Sequence, residues 1–330
     1  MDFSCVKKVL KSQPSYRLKQ AKRLVFFNLI ENWNQATSFP PLLREKLDKK
    51  CSLEIKVKTF VSKNKKTIKA LIKLSDGLKI ESVLMKHVDK RNTVCVSSQV
   101  GCALGCVFCA TGKMGFKRNL KDYEIVNQVL FFARHLKKKR QKISNIVFMG
   151  MGEPFLNYDN VISSIRTLND KDGFNLGARS FSISTAGIVE GIQKLSKENL
   201  RINLAISLHA PNDKLRVKIM PVNKNYSISK VLKAVDDYVI KTRRKVMFEY
   251  MMIKDINDKD EHARQLIKIM KKPLYLVNLI SYNPTGDFKA SSPSRIKKFK
   301  EILEKAKVKV SQRYSFGQDI KAACGQLAGE

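Results

Sequence analysis

Three cysteines lie close together in one short, glycine-containing stretch of the chain. Cys102, Cys106 and Cys109 follow a C-x3-C-x2-C spacing, and Phe108 stands directly before the third cysteine. Thiolates are soft ligands, which select iron–sulfur clusters or zinc. A cubane cluster normally takes four cysteines, but the next cysteine along the chain is Cys324. The spacing predicts a cluster with one iron open to a small molecule. The alternatives are a zinc loop with a distant fourth ligand, or three cysteines packed as small apolar residues.

A second motif, Met149-Gly150-Met151-Gly152-Glu153-Pro154, follows a predicted strand. Glycine lets a backbone approach a ligand closely. The carboxylate of Glu153 could add a charge-assisted hydrogen bond to a cationic group. A glycine-rich turn is weak evidence alone, but downstream of the cysteine stretch it indicates a ligand-binding turn.

Polar residues end three further predicted strands, at 182–187, 207–212 and 281–284. Serine, threonine and asparagine at such junctions usually cap the following helix, which is the simpler interpretation. In parallel barrels, however, active groups lie at the carboxyl ends of the strands. Three such sites at successive strand ends therefore favour ligand contacts.

Strands and helices alternate from residue 93 onward. The predicted strands are 93–97, 145–149, 180–185, 203–208, 246–251 and 274–280. The predicted helices are 123–137, 158–168, 188–195, 229–241, 261–271 and 295–306. Alternating βα units favour a parallel sheet with right-handed crossovers. The sequence predicts an α/β fold, with six units that fit a partial (βα)6 barrel.

Four segments follow from these patterns. Residues 1–50 form a small basic helical accessory domain, for which RNA docking and a solvated helical cap are equally good interpretations. Residues 51–90 form a short β element, with strands around 53–57, 70–74 and 80–85 and a turn at Asp76-Gly77. Residues 91–313 form the barrel, and residues 314–330 form a C-terminal tail.

The composition is strongly basic, with a formal net charge of +35 and a pI near 10. Such an excess of positive charge indicates a polyanionic partner, of which nucleic acid is the commonest. The N-terminus has no long apolar stretch, so no signal peptide is predicted. No apolar run is long enough to span a bilayer, and seven cysteines outside a secretory context favour a reducing compartment. We therefore expect a cytoplasmic protein without membrane contact.

Two more cysteines stand outside the cluster motif. Cys95 lies on the first predicted barrel strand, and Cys324 lies six residues from the end of the sequence. A buried cysteine in such a position is ordinarily inert, so the residues alone do not settle whether either one reacts.

Taken together, the motifs resemble the radical S-adenosylmethionine (SAM) family of RNA adenine methyltransferases, which has an RlmN and a Cfr branch. The resemblance rests on the runs 95–102, 102–109, 150–154, 207–212 and 322–327, and it extends from about Glu81 to the end. It implies the partial (βα)6 radical SAM barrel. It also implies one [4Fe-4S] cluster on Cys102, Cys106 and Cys109, and two SAM molecules per turnover.

The resemblance further implies roles for three residues. Cys324 would carry a methyl group to the RNA base, Cys95 would release the product by forming a disulfide with Cys324, and Glu81 would accept a proton from the base. A surface carboxylate on a strand is the alternative for Glu81. The implied SAM contacts are Gly152, Glu153, Ser184, Ser207, Leu208, His209 and Asn283.

The predicted function is therefore methylation at C2 of an adenine in 23S rRNA and tRNA. Pro154 is typical of the C2-methylating RlmN branch, whereas Tyr314–Asp319 resembles the tail of the C8-methylating Cfr branch. Methylation at C8 is thus the alternative. Two further hypotheses are a radical SAM enzyme with another target and a non-catalytic Fe–S or zinc RNA-binding protein. A flavodoxin or ferredoxin as electron donor and a monomeric state complete the expectations.

Overall fold

The computed structural model describes residues 2–286 and 288–329. Its centre is a ten-stranded sheet in the order β1-β2-β3-β4-β7-β8-β9-β10-β11-β12, with β5 and β6 as a separate two-stranded ribbon. The strands are β1 (Val57–Val61), β2 (Thr67–Lys73), β3 (Lys79–Lys86), β4 (Asn92–Cys95), β5 (Gln99–Gly101), β6 (Phe116–Asn119), β7 (Asn145–Phe148), β8 (Phe181–Thr185), β9 (Asn203–Ser207), β10 (Val246–Met252), β11 (Tyr275–Ser281) and β12 (Val310–Arg313).

Helices flank the sheet and connect its parallel strands. They are α1 (Phe3–Val9), α2 (Tyr16–Lys22), α3 (Pro41–Lys50), α4 (Ala110–Lys113), α5 (Asp122–Lys137), α6 (Tyr158–Asn169), α7 (Val189–Leu195), α8 (Asp213–Ile219), α9 (Ile228–Thr242), α10 (Asp260–Met270) and α11 (Pro293–Lys305). None of the helices in the described part of the chain is long and apolar enough to cross a bilayer.

The parallel part of the sheet confirms the predicted α/β fold. Strands β4, β7, β8, β9, β10, β11 and β12 pair in parallel, and a helix follows each of the first six. Parallel strands are buried on both faces, and the apolar side chains of β8 and all but one of those of β10 are accordingly buried. The six βα units are those predicted, while β12 is a seventh parallel strand that was not predicted.

Strands β1, β2 and β3 extend the sheet antiparallel from β4. The predicted turn at Asp76-Gly77 joins β2 to β3, with Gly77 at φ +85°. The prediction of a strand from residue 53 was wrong, because β1 begins only at Val57. Leu53 is buried, but its carbonyl accepts a hydrogen bond from Arg134 (2.9 Å) in place of a strand partner.

Residues 2–50 form short helices with connecting loops and pack against the rest of the core. A disulfide joins Cys5 of α1 to Cys51, just beyond α3. The indole of the buried Trp33 donates a hydrogen bond to the Cys51 carbonyl (2.8 Å). The disulfide therefore ties the accessory domain to the first residue of the β element, whereas the predicted partners Cys95 and Cys324 carry free thiols.

The β5–β6 ribbon supports the cysteine stretch. The backbone N–H of Cys102 donates to the carbonyl of Gly115 (3.0 Å), just before β6. Gly101 has φ +75°, and a Cβ at this position would overlap the Gly115 carbonyl. Only glycine therefore allows the two chains to approach at the point where the cysteine stretch begins.

Candidate active site

A cavity of about 170 Å³ opens at the carboxyl ends of the parallel strands. This is the end of a parallel barrel at which ligands bind. The walls combine the cysteine stretch, the glycine-rich turn, the ends of β8, β9 and β10, and the C-terminal tail. The predicted site residues among its lining are Cys102, Cys106, Cys109, Gly152, Glu153, Ser184, Ser207, His209 and Cys324.

The three motif cysteines are half-buried in this wall. Burial raises the pKa of Cys102 to about 11 and also raises the pKa of Cys106. Burial therefore disfavours the free thiolates, and a bound metal would reverse this effect, because it deprotonates a coordinating thiol outright. In a cubane each cysteine binds its own iron, and three thiols from one short stretch suit such a cluster, whose soft irons prefer thiolate ligands.

The glycine-rich turn places a buried carboxylate on the cavity wall. Glu153 accepts hydrogen bonds from the backbone N–H groups of Phe155 (3.0 Å) and Ala186 (2.8 Å). Its own N–H donates to the side chain of Gln99 (2.8 Å). Burial raises the pKa of Glu153 to about 7. A carboxylate desolvated in this way gains from a cationic ligand, because the opposite charge favours its ionised form.

At the ends of β8 and β9, some polar side chains cap the backbone of the following segment, and others line the cavity. Thr185 accepts from the N–H groups of Gly187 and Ile188, and Asn212 caps α8 by accepting from Leu215 (2.8 Å). Ser184 and Ser207 instead line the cavity, with their hydroxyl oxygens 3.4 Å apart. The capping interpretation thus applies to Thr185 and Asn212.

His209 lines the cavity as a neutral imidazole. Its Nδ1 accepts the backbone N–H of Met251 (3.1 Å), so the proton lies on Nε2. Burial lowers the pKa of His209 to about 3. The ring packs edge-on against Phe108 of the cysteine stretch, with centroids 5.1 Å apart. The adjacent Leu208 is buried, and its N–H donates to the Glu249 carbonyl (3.1 Å).

Arg216 of α8 joins the two strand ends and was not predicted as a site residue. Its fully buried guanidinium donates to the carbonyls of Ala186, Ser207 and Leu208. It also donates to the side chain of Asn223 (2.9 Å) and to a fifth acceptor, the Tyr226 carbonyl. No salt bridge compensates its charge within the described residues. A buried charge without a counter-ion is costly, so this cation beside the cavity favours an anionic ligand.

Cys95 and Cys324 line a second, smaller cavity of about 30 Å³ next to the first. Burial raises the pKa of the Cys95 thiol to about 12, with a further rise from nearby Cys324 and an opposing effect of Arg313. Arg313 at the end of β12 lines both cavities, and its pKa is raised above its usual value chiefly by Cys324. The two predicted reactive cysteines are therefore neighbours beside one guanidinium.

Glu249 and Arg313 also line the cavity and were not predicted as site residues. Glu249 is a lone carboxylate within the otherwise apolar strand β10, and its pKa is raised by burial. It accepts a hydrogen bond from Asn278 (2.9 Å) on β11. Arg313 ends a strand that was not predicted. A charge inside an apolar strand is itself a site signal, and it would have identified Glu249.

Asn283, a predicted SAM contact, hydrogen-bonds to residues of the C-terminal tail. Its side-chain N–H donates to the Cys324 carbonyl (3.0 Å), and its oxygen accepts from Gln318 (2.6 Å). Asn283 is buried, and it is absent from the cavity lining. The geometry therefore has Asn283 hold the backbone of Cys324.

Glu81 lies apart from the large cavity. One carboxylate oxygen is 2.7 Å from the Lys69 ammonium, outside hydrogen-bond alignment, so the contact is an ion pair. The other oxygen accepts the backbone N–H of Ala328 (2.8 Å). The large cavity thus gathers nine of the predicted site residues. Cys95 lines the adjoining cavity, Leu208 is buried behind the wall, and Glu81 and Asn283 contact the C-terminal tail.

Known proteins share both the sequence and the fold of this chain. The profile of the Radical SAM superfamily matches residues 96–267. A probable dual-specificity RNA methyltransferase RlmN from Dictyoglomus thermophilum is 47% identical over 317 residues, which cover 96% of this chain and 91% of the relative. The ribosomal RNA large subunit methyltransferase N of Nitrosopumilus maritimus is 42% identical, with coverages of 94% and 92%.

A solved structure extends the similarity to three dimensions. The crystal structure of a radical SAM methyltransferase from Sphaerobacter thermophilus superposes with a TM-score of 0.95 at 40% identity, covering 100% of this chain and 98% of the other. The matches span the accessory segment, the barrel and the tail. The chain belongs to the radical SAM superfamily and, within it, to the RlmN family of RNA methyltransferases.

Proposed function

We propose that this protein methylates C2 of an adenine in RNA through a methyl group carried on Cys324. The observation that carries the proposal is the position of Cys324 on the walls of two adjoining cavities. Cys324 lines the large cavity together with the three motif cysteines, and it lines the small cavity together with Cys95. C2 is an electron-poor carbon and not a nucleophile, so it cannot take the methyl group of SAM by direct displacement.

Cys102, Cys106 and Cys109 would hold one [4Fe-4S] cluster, and Gly152 with Glu153 would hold the amino group of SAM. When bound, cluster and SAM supply a carbon radical that removes one hydrogen atom from the methyl group on Cys324. The desolvated Glu153 carboxylate suits the SAM ammonium. Ser184, Ser207, Leu208 and His209 line or support the remaining wall, where hydroxyl and Nε2–H groups can orient the ligand.

The thiols account for the remaining bonds. The Cys324 thiolate takes a methyl group from a first SAM, and the carbon on Cys324 then bonds to C2 after its hydrogen has been removed with a second SAM. Cys95 attacks the sulfur of Cys324, which forms a disulfide and breaks the sulfur–carbon bond. The new bond to C2 leaves one unpaired electron on the base; C2 would lose its proton and this electron would return to the cluster, which restores the aromatic ring. The carbon released from sulfur takes up a proton and becomes the methyl group. A thiol reductant must then regenerate both cysteines.

The proposed substrates are 23S rRNA and tRNA. The net charge of +35 supports a polyanionic partner, and the relatives' names specify ribosomal RNA and dual specificity. A flavodoxin or ferredoxin would supply the electron, and we propose a monomer that acts in the cytoplasm, where RNA and small redox proteins are present.

Methylation at C8 is the second candidate. It is favoured by Tyr314–Asp319, which resembles the tail of C8-methylating relatives, whereas Pro154 resembles the C2 branch. The reconstituted protein should be incubated with RNA and SAM, and the nucleosides separated by liquid chromatography with mass spectrometry. We expect 2-methyladenosine, while 8-methyladenosine would overturn the C2 assignment.

Two cysteine variants test the carrier chemistry. Cys324→Ala should keep the cluster absorbance but lose RNA methylation. Cys95→Ala should accumulate a covalent protein–RNA adduct on a denaturing gel. The matched control is the double variant Cys5→Ala/Cys51→Ala, which removes two sulfurs that line neither cavity and should leave RNA methylation in place. Methylation by Cys324→Ala, or a Cys95→Ala variant without adduct, would refute the assigned roles.

A further inference from the structure

The ion pair of Lys69 and Glu81 is buried almost completely. Their side chains are 7% and 1% exposed, and they lie on adjacent antiparallel strands. Glu81 pairs in register with Leu71, and Lys69 with Val83, so the two charged residues are diagonal neighbours on one face. Desolvating two charges costs several kcal/mol, which their mutual attraction often fails to recover. Such a pair is a weak source of stability and calls for another explanation.

The carboxylate of Glu81 contacts the C-terminal tail. Its second oxygen accepts the backbone N–H of Ala328 (2.8 Å), four residues beyond Cys324. Lys69 fixes the orientation of this carboxylate from the opposite side, and the Lys69 ammonium also lies over the ring of Phe60 (5.1 Å). The ion pair thus presents one aligned acceptor to the tail.

Two further contacts fasten the same segment. The Gly325 carbonyl accepts the N–H of Ala110 (2.8 Å), and the Leu327 carbonyl accepts the hydroxyl of Thr111 (2.6 Å). Ala110 and Thr111 directly follow the motif cysteine Cys109. Residues 324–328, which we call the carrier segment, are therefore held by the cysteine stretch on one side and by Glu81 on the other.

These contacts engage both oxygens of Glu81, one in the ion pair with the Lys69 ammonium and one in the hydrogen bond from the Ala328 N–H. We propose that Lys69 and Glu81 form a positioning pair that anchors the carrier segment and so sets the place of Cys324 relative to SAM. The inference rests on the proposed function, because it requires Cys324 to be the methyl carrier. In this role Glu81 already acts before RNA binds, whereas a proton acceptor for adenine would act only after RNA has bound.

Two double variants separate anchoring from proton transfer. Lys69→Met/Glu81→Gln keeps an acceptor for the Ala328 N–H, whereas Lys69→Met/Glu81→Met keeps none. Both remove the two charges together, which avoids an unpaired buried charge. The anaerobically reconstituted proteins are incubated with SAM without RNA, and methylation of the Cys324 peptide is followed by mass spectrometry. RNA is then added, and covalent adducts are sought on a denaturing gel.

Anchoring predicts that the Glu81→Gln double variant methylates Cys324 about tenfold or more faster than the Glu81→Met double variant, since misplacement of a reacting group by about 1 Å can cost a hundredfold. Thr111→Val, which removes another anchor of the segment, should likewise slow methylation of Cys324. Amide exchange of residues 324–329 should rise in the Met variant, with the cluster absorbance unchanged.

Equal and rapid Cys324 methylation in both double variants would overturn the inference. If both variants then also stalled as RNA adducts, Glu81 would be the proton acceptor. A wild-type protein that forms no methyl-Cys324 at all would contradict the proposed function, and the inference would fail with it. The RNA-free arm thereby separates the two failures.

Discussion

Three glycines allow the geometry of the glycine-rich turn to be tested by alanine substitution. Gly152 has φ +97°, and an added Cβ would lie 2.5 Å from the Cβ of Gln99 and 2.8 Å from its backbone nitrogen. Gly150 lacks a positive φ, but its Cβ would lie 2.7 Å from the Val96 carbonyl. Gly77, in the β2–β3 turn, has φ +85° and no neighbour within 4 Å.

The three sites separate two energetic costs. A left-handed backbone costs an alanine about 1–2 kcal/mol, and overpacking in a tight site costs about 1–3 kcal/mol. Gly77→Ala should therefore lower the free energy of unfolding by about 1–2 kcal/mol, and Gly150→Ala by about 1–3 kcal/mol. Gly152→Ala carries both costs and should lose about 2–5 kcal/mol. Each substitution also stabilises the protein by reducing the conformational entropy of the unfolded chain. This contribution is the same for the three variants, so it cancels when their free energies of unfolding are compared.

The assays are urea unfolding and SAM binding by calorimetry. Because the backbone N–H of Glu153 is held by Gln99 (2.8 Å), displacing Gln99 should shift the carboxylate and weaken SAM binding. Gly77→Ala should bind SAM like the wild type. Equal stability and equal SAM affinity of Gly77→Ala and Gly152→Ala would refute the close approach of the turn to Gln99.

Two other predictions concern buried polar groups. Because burial lowers the pKa of His209 from 6.5 to about 3, the unfolded state binds a proton below pH 6.5 that the folded state does not. The free energy of unfolding should therefore decrease as the pH is lowered, by about 2 kcal/mol between pH 7 and pH 5. Chemical denaturation of His209→Asn at the two pH values should lack this pH-dependent contribution. Arg216→Lys keeps the charge, but a lysine cannot make the five hydrogen bonds of Arg216. The variant should lose about 2–4 kcal/mol of folding free energy and bind SAM more weakly. A stability and a SAM affinity equal to those of the wild type would contradict the role of Arg216.

The parallel strands could be predicted because each is a short apolar run that ends in polar residues. β7 and β10 differ from their predicted bounds by one residue each. β12 was missed because its four residues, Val310–Arg313, are only half-buried at the edge of the sheet and show no alternation. The apolar residues near Leu53 suggested a strand, but Leu53 packs into the core without a strand neighbour.

The local parts of the site were likewise predictable. Cysteine spacing and glycines act within a few residues, and the cavity indeed gathers those motifs. Arg216 and Asn283 depend on partners distant in sequence, because the first binds carbonyls of two strands and the second holds the Cys324 backbone. No spacing rule reveals such contacts. The ion pair of Lys69 with Glu81 also appears only once β2 and β3 are in register.

The central claim is that the transferred carbon passes through the sulfur of Cys324. The most direct test uses SAM whose methyl group carries three deuterium atoms, with mass spectrometry of the adenosine product. Transfer through Cys324 removes one hydrogen from the methyl group before the carbon bonds to the base, so the product should retain two deuterium atoms. Retention of all three would mean that the methyl group passed intact to adenine, and would contradict the account.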